Sequence, residues 1–518
     1  MSAPASTEVR VAELVATLSL GTDLGLGQPM EHIIRTTLLS LRLADRLELD
    51  DEERAEVYYT GLLAWVGCHT DAYEQAKWFG DDLTAKAAGY DYDMGRLTSQ
   101  LAYMVRSVGQ GQSLLDRARL FAQLPRAARR NQLVDLHNHW QAADGLAQRL
   151  GLGQELRQSL SQSFERWDGK GLAGLAQEEI RLPSRVVALA DVLTVFHDAR
   201  GPEAAVEVAQ ERRGTQFDPG LVDLFCAEPD ELLVHADRGS SWRDVLEAEP
   251  ALARSTLSGA ALDDALEAVA DFADLKSPYT IGHSRSVADL AASAAEGFGL
   301  AEERRVALRR AGLLHDLGRL GVSNAIWDKP SPLTTSEAER VRLHPYLTER
   351  MLAATPGLAP LAAIAVQHHE RLDGSGYPRG LSGSSITEEG RLLAAADAYA
   401  ARTEPRPHRE ALSPDDTAKH LRDEVRAGRL DGDAVEAVLG AAGHRAQRRR
   451  VLPAGLTARE TEVLCLLARG LTNREIAEAL SITAKTAGSH VEHIYAKTGA
   501  RNRAGASIFA SQHGLMRD

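Results

Sequence analysis

Apolar positions along this chain fall at helical spacing. In LLHDLGR, residues 313–319, Leu313, Leu314 and Leu317 share one helical face. Toward the C-terminus, Leu464 and Leu467 form one apolar stripe, and Ile476, Ala477 and Leu480 form another. The apolar content is mostly Ala, Leu and Val, and Ala and Leu are strong helix formers. Alternating Val/Ile-rich runs, the mark of half-buried strands, are hard to find. The pattern predicts an all-α protein. It also sets a problem: His315 and Asp316 stand side by side where burial makes polar groups costly. Three readings compete: a core histidine with its own carboxylate partner, a lone acid–base pair, or two ligands of a metal site.

The pattern repeats. ERWDGKGLAGL from Glu165 matches ERLDGSGYPRGL from Glu370, and each runs through a charged loop into an apolar segment, SRVVALADVL and GRLLAAADAY. Asp191 and Asp397 occupy matching places. Upstream, His32 in PMEHIIRTTLLSLRLADRLEL matches His283 in TIGHSRSVADLAASAAEGFGL. The next apolar helix follows 32 residues later in both, reading LLAW at Ala64 and Trp65 in the first copy and LLHD in the second. These matches predict that residues 1–240 and 255–450 are two copies of one helical domain. A period this long marks duplicated domains, not a stacked array. The first copy keeps His32, Asp191 and a candidate in His139. It has lost the His–Asp pair, and HHE has become Ser163, Phe164 and Glu165. Trp65 and Phe164 at former ligand positions suggest a site filled by packing. The first copy is therefore expected to bind no metal and to serve dimerisation, scaffolding or ligand sensing.

The second copy spreads His283, His315, Asp316, His344, His368, His369 and Asp397 over 115 residues, each in an apolar, helix-like setting or at a helix end. Imidazole and carboxylate are ligands that borderline divalent metals accept. Neighbours on a helix lie about 100° apart, so His315 and Asp316 can reach a metal from two sides, and the Asp can bridge two ions. A purely structural origin would require seven unrelated buried polar groups, each costing about 1–3 kcal/mol if unpartnered.

At these residues the second copy resembles an HD-GYP domain, a branch of the HD metal-dependent phosphohydrolases. The matching stretches are YTIGHSRSV, LLHDLGRLG, KPSPLT, His344-Pro345, HHERLDGSGYPRGL and AAADAYAARTEPRPHR. The first copy resembles the same family in degenerate form. The resemblance implies two tandem HD-type helical domains and hydrolysis of cyclic di-GMP. A water between two cations becomes hydroxide near neutral pH and attacks phosphorus in line with the leaving ribose oxygen. It implies His283, His315, Asp316, His344, His368, His369 and Asp397 as metal ligands, with Asp316 as the bridge. His315, Asp316 and Arg319 would carry the catalysis. Gly376, Tyr377 and Pro378 would form a substrate-facing loop, and Arg319 and Arg406 would hold phosphate through their guanidinium forks. The implied cofactors are two divalent ions, Fe or Mn. Several positions depart from the family pattern. Arg319 stands for the usual Lys, Ala400 for an Asp, and His408 for the Tyr of RPYR, while the Pro of an I-P turn is missing from GVSNAIWDKP. Tyr279 stands where trinuclear members carry Glu, which predicts two metals and not three. Two alternatives remain: a catalytically silent nucleotide or metal sensor, and an HD phosphohydrolase acting on another phosphate substrate.

Composition narrows the setting. The 518 residues suffice for about three or four domains. Cys68, Cys226 and Cys465 are far apart, with no C-x-x-C pair, which argues against a disulfide framework or a cysteine zinc site. There is no basic segment leading into an apolar stretch at the N-terminus and no apolar run of about 18 residues. A reduced, cytoplasmic setting without membrane contact is expected. The net charge of −14 argues against nucleic acid for the body of the chain. Residues 451–518, however, carry eight Lys/Arg against six Asp/Glu, and RAQRRR at 445–450 adds four positive charges.

That basic end carries its own pattern. Thr457 with Glu460, and Thr472 with Glu475, have capping-box spacing. Gly470 marks a helix stop, and after SIT a third helix is predicted from about Ala484 to Thr498. Its exposed side carries Lys485, Thr486, Ser489, His490, His493 and Lys497. Helix, short turn, helix is the geometry that lays a recognition helix in the major groove. The block from about Leu456 to Leu515 resembles the LuxR-type DNA-binding domain, a four-helix helix-turn-helix unit placed at 451–518. The resemblance implies that Thr486 and Lys497 touch phosphate while Gly488, Ser489 and Glu492 lie near base edges. It also implies a homodimer, joined through the last helix, reading promoter DNA.

Overall fold

The computed structural model describes residues 8–110, 113–234, 241–444, 453–480, 482–500, 502–513 and 515. The basic run 445–450 and the side chain of His139 lie outside what is described. The expected all-α architecture is present. The described residues hold only one small ribbon, in which Val9–Arg10 pairs antiparallel with Thr256–Leu257. None of the described helices is long and apolar enough to cross a membrane. The chain divides into two compact units, 1–445 and 446–518.

In the first unit the two halves repeat their local construction. The helices His32–Arg46 and His283–Phe298 each begin on the histidine, directly after a left-handed residue, Glu31 (φ 72°) or Gly282 (φ 79°). Each start is also tied down by a buried Asp ten residues back. Asp23 Oδ1 accepts from Ile33 N at 2.9 Å, and Asp274 Oδ2 accepts from Ser284 N at 2.8 Å. These carboxylates satisfy amides that a helix N-terminus leaves without intrahelical partners. Further on, Glu165 accepts from the backbone amides of Ala173 and Leu175, and Glu370 from those of Arg379 and Leu381. One carboxylate thus folds the loop after HHE in the second half and its counterpart in the first. The helices Leu182–Arg200 and Glu388–Thr403 then carry Asp191 and Asp397 inward.

One apolar core runs through both halves, from Val9 to Ala365, and a second joins Val287, Ala291, Ala295 and Leu308 to helices beyond residue 388. The close join is visible at Gly21 of the helix Val11–Gly25. A Cβ there would come within 2.8 Å of Leu320 Cδ1 and 3.2 Å of Met351 Sδ.

The described residues of the second unit form four α-helices, Ala458–Ala468, Asn473–Leu480, Ala484–Thr498 and Arg503–Gln512. Both anticipated capping boxes form: Glu460 Oε2 accepts from Thr457 N at 2.7 Å, and Glu475 Oε2 from Thr472 N at 2.7 Å. Gly470 (φ 95°) follows the first helix. Leu464, Leu467, Ile476 and Ala477 meet Ala487, Val491 and Ile494 in a small core. That packing fixes which side of Ala484–Thr498 remains outside.

Candidate metal centre

The helix carrying the LLHD motif stops sooner than its apolar stripe suggests. Glu302–Leu314 is α-helical, and Leu317–Gly321 is a tighter 3-10 turn. His315 and Asp316 lie at the junction, where Arg319 N bonds Asp316 O at i−3. The single helical face read from Leu313, Leu314 and Leu317 is therefore two segments, and the change of pitch turns both polar side chains toward the interior. His315 is wholly buried and Asp316 is 3% exposed.

All seven predicted ligands converge around Asp316 and Asp397. Asp316 Oδ2 lies 3.3 Å from His315 Nε2 and 3.5 Å from His283 Nε2. Its other oxygen, Oδ1, lies 3.3 Å from His344 Nε2 and 3.7 Å from His368 Nε2. Asp397 Oδ1 is 3.4 Å from His283 Nε2, and its Oδ2 is 3.8 Å from His369 Nδ1. Two compact ligand groups result, His283–His315–Asp397 and His344–His368–His369, with Asp316 facing both.

The tautomers follow from the outer partners. A carbonyl only accepts, so His315 Nδ1 donates to Gly312 O, His344 Nδ1 to Val341 O and His368 Nδ1 to Ala365 O, at 2.6–2.7 Å. A neutral imidazole has one N–H, so each Nε2 turns a lone pair inward. His344 Nε2 and His368 Nε2 face each other at 3.1 Å, which sets two lone pairs in opposition. His315 Nε2 is buried with no hydrogen-bond partner. A buried acceptor set with nothing to accept from fits cations, and outer bonds that fix ring orientation are typical of metal-ligating histidine.

Charge in the site is strongly biased. Burial opposes ionisation of Asp316, but the charge of Arg319 beside it holds it well below the usual carboxylate range. Asp397 is likewise held low against burial by His283, His369 and His368. Burial and the neighbouring His315 and His344 bring the His368 imidazole down to about 3. For His283, burial lowers the value, but bonds to Asp397 and Glu404 and the charge of Asp316 raise it to about 9.

Glu404 was not expected from the sequence. It follows the helix Glu388–Thr403, and its Oε2 lies 2.9 Å from His283 Nδ1. It thereby does for His283 what carbonyls do for the other three rings, and it also accepts from Arg406 at 2.9 Å. Its only sequence signal was an acid two residues before the Arg of the RPHR stretch. Tyr279, at the position of the expected departure, turns away and sets its ring against Tyr73, 6.1 Å between centroids.

The predicted substrate-facing residues split in position. Tyr377 lies on His369, 4.6 Å between ring centroids, so the loop 376–378 covers the second ligand group. A Cβ on Gly376 would meet Arg371 N at 2.4 Å and Glu370 Cα at 2.5 Å, so the loop's close approach requires glycine. Arg319 reaches the centre itself, with Nη1 2.7 Å from Asp316 Oδ2, and its guanidinium stacks 4.3 Å over Trp327. Arg319 and Arg406 also line a cavity of about 610 Å³ that includes Trp327, Lys329, His408 and Arg409. Trp327 and Lys329 were missed as site residues because WDKP carries no repeated spacing.

In the second unit Lys485, Thr486, Ser489, Glu492 and His493 are exposed, while His490 and Gly488 are half-buried. Lys497 is exposed but tethered, its Nζ 2.8 Å from Glu460 Oε2. The ammonium therefore braces the capping box of the first helix of this unit, a task its expected role at phosphate did not include.

In the first half, His32 Nε2 and Asp191 Oδ1 bond directly at 2.9 Å. Trp65 and Phe164 meet edge to face at 5.3 Å, but they do not fill the former site, because both line a cavity of about 540 Å³. Among the described residues, the three His/Asp groups with metal-ligand geometry all lie in the second half.

The HD domain family model matches residues 267–434, and the model for bacterial regulatory proteins of the luxR family matches residues 454–510. The chain is 32% identical over 432 residues to 3′3′-cGAMP-specific phosphodiesterase 3 of Vibrio cholerae, across 83% of this chain and 94% of that protein. It is 37% identical over 148 residues to the cyclic di-GMP phosphodiesterase response regulator RpfG of Xanthomonas campestris, across 28% of this chain and 39% of that one. A crystal structure of a cyclic GMP-AMP-specific phosphodiesterase of V. cholerae, V-cGAP3, aligns with a TM-score of 0.59 and 28% identity, over 84% of this chain and 98% of that one. The chain belongs to the HD-GYP family of metal-dependent phosphodiesterases and carries a luxR-family regulatory domain after its HD domain.

Proposed function

We propose that this protein hydrolyses a 3′,3′-linked cyclic dinucleotide and binds promoter DNA through its second unit. The observation that carries the reading is the inward-facing set of buried imidazole lone pairs around Asp316, beside a cavity that is cationic and holds an aromatic ring. Two divalent ions, Fe or Mn, would be held by His283, His315 and Asp397 on one side and by His344, His368 and His369 on the other, with Asp316 shared. Bound there, the ions would activate water near neutral pH and offset charge growing on the phosphoryl oxygens. The chain's own groups do the rest. Arg319 and Arg406 orient the phosphodiester, Trp327 offers a face to a base, and the loop 376–378 screens one side from bulk water. The P–O bond to one ribose oxygen breaks and a linear dinucleotide results.

The relative aligned over most of both chains is named for 3′3′-cGAMP, while RpfG is named for cyclic di-GMP. Both rings share the phosphodiester and a guanine, which is the chemistry the cavity answers. The repeated caps, loops and helices support residues 1–240 and 255–450 as two copies of one domain, with 451–518 as the DNA-binding module. There Lys485, Thr486 and Lys497 would position phosphates, and Gly488, Ser489 and Glu492 would read bases, in a homodimer on a two-fold site.

The test is product analysis with purified full chain, Mn or Fe, and each cyclic dinucleotide separately. A linear dinucleotide is expected from at least one ring, and none from the His315→Ala, Asp316→Ala double variant. No product from either ring with metal bound would overturn the reading.

A further inference from the structure

The first half has lost its ligand set but not its cleft. Where Trp65 and Phe164 meet, a cavity of about 540 Å³ remains. Its size falls within the range of small-molecule sites, about 300–1,000 Å³. Five aromatic side chains line it: Trp65, Phe164, Tyr90, Tyr92 and Tyr103. Tyr92 and Tyr103 meet edge to face at 5.6 Å. Flat walls of this kind suit a planar ring.

Donors dominate the unmet polar lining. Trp65 Nε1, Ser163 Oγ and Arg212 Nε are all buried without a hydrogen-bond partner. Each is a donor, although the hydroxyl can also accept. Arg212 is 3% exposed, and its other bonds go to neutral oxygens, Tyr90 O at 2.8 Å and Gln216 Oε1 at 3.1 Å. The acids along the wall are largely answered, although Asp71 Oδ1 is buried without a hydrogen-bond partner. Asp191 is bonded by His32, Glu165 by two backbone amides, and Asp71 lies 3.4 Å from Lys86 Nζ. Nearby Asp93 is taken by Arg166 at 2.8 Å. Three of the four unpartnered lining atoms, Trp65 Nε1, Ser163 Oγ and Arg212 Nε, can therefore donate to acceptor oxygens, beside a buried guanidinium and between aromatic faces.

We infer that this cavity binds a nucleotide, with the base among the aromatic rings and a phosphate oxygen at Arg212. The site is separate from the metal centre and does not depend on the proposed hydrolysis. It gives the degenerate copy a sensing task, so that one chain would read a nucleotide in one half and cleave a cyclic dinucleotide in the other. A mononucleotide and a cyclic dinucleotide share the chemistry, and competition distinguishes them.

The experiment is photolabelling of the full chain with 8-azidoguanosine monophosphate, followed by peptide mapping. Label is expected on peptides containing Trp65 or Tyr90–Tyr103. It should be competed by GMP, AMP or a cyclic dinucleotide, the strongest competitor identifying the ligand. Arg212→Met should lower that label at least tenfold while hydrolysis, assayed separately, persists. If Arg212→Met fails to fold, Tyr92→Leu is expected to weaken the same label. Absence of first-half label, label that no nucleotide competes, or label unchanged in the folded variant would overturn the inference whatever the hydrolysis result.

Discussion

Gly318→Ala tests how the chain holds the ligand His344. A Cβ at Gly318 would stand 2.0 Å from His344 O and 2.7 Å from Thr348 N. Carbon and carbonyl oxygen ordinarily approach no closer than about 3.3 Å, so the backbone at His344 must retreat by roughly 1.3 Å. Both obstacles are backbone atoms, which cannot swing aside as a side-chain tip can. The same spot is fixed by Gly318 N donating to Thr348 Oγ1 at 2.8 Å and by Thr348 Oγ1 donating to His315 O at 3.0 Å. Overpacking of this kind costs about 1–3 kcal/mol, a fall of about 1–3 °C in Tm for a unit of this size, with the fold retained. For catalysis the consequence is larger, since a misplacement of about 1 Å costs on the order of 100-fold. We expect Gly318→Ala to be folded by circular dichroism, to bind less metal by elemental analysis, and to lose about 100-fold in kcat. A folded variant with wild-type metal content and wild-type kcat would refute the claim that this contact positions His344.

Three further outcomes follow from the same geometry. Burial raises the Asp23 carboxyl to about 7, with His32 and the Ile33 amide opposing. Its folded value lies above its unfolded value of 3.8. Its contribution is therefore full below pH 3.8 and is lost as pH rises through 7. Asp23→Asn should remove that loss, so the stability of the variant relative to wild type should rise by a few kcal/mol between pH 4 and pH 8 in urea titrations; a constant difference would contradict it. In the DNA-binding unit, Lys485→Ala should weaken DNA binding nearly equally across sequences and reduce the salt slope by about 1, read by anisotropy. Lys497→Met should in addition lower the Tm of that unit, because Lys497 braces Glu460; a loss of affinity with no change in Tm would show that the brace is immaterial.

Much of this molecule was legible in the residue pattern. The helices followed from apolar spacing, and Thr457 and Thr472 announced their caps through Glu460 and Glu475. The seven candidate ligands stood out because polar groups in apolar stripes need a reason, and the repeat showed His–Asp giving way to Ala64 and Trp65. What the pattern could not carry was pairing across long separations. Glu404 reaches His283 over 121 residues, and an acid at a helix end looks the same whether it meets a ring or water. The carbonyls that fix His315, His344 and His368 belong to the backbone and leave no mark in residue identity. Trp65 and Phe164 suggested a filled site, yet the two rings leave a cavity of about 540 Å³ beside them that residue identity did not reveal. The strand pairing of Val9 with Leu257 is a consequence of how the halves meet, which neither half records by itself.

We propose that two ions share Asp316. Anomalous diffraction from crystals of the full chain grown with Mn addresses it directly. The account predicts two peaks roughly 3.5–4 Å apart, one among His283, His315 and Asp397 and the other among His344, His368 and His369, with the Asp316 carboxylate touching both. A single peak, or density with Asp316 turned away, would contradict it.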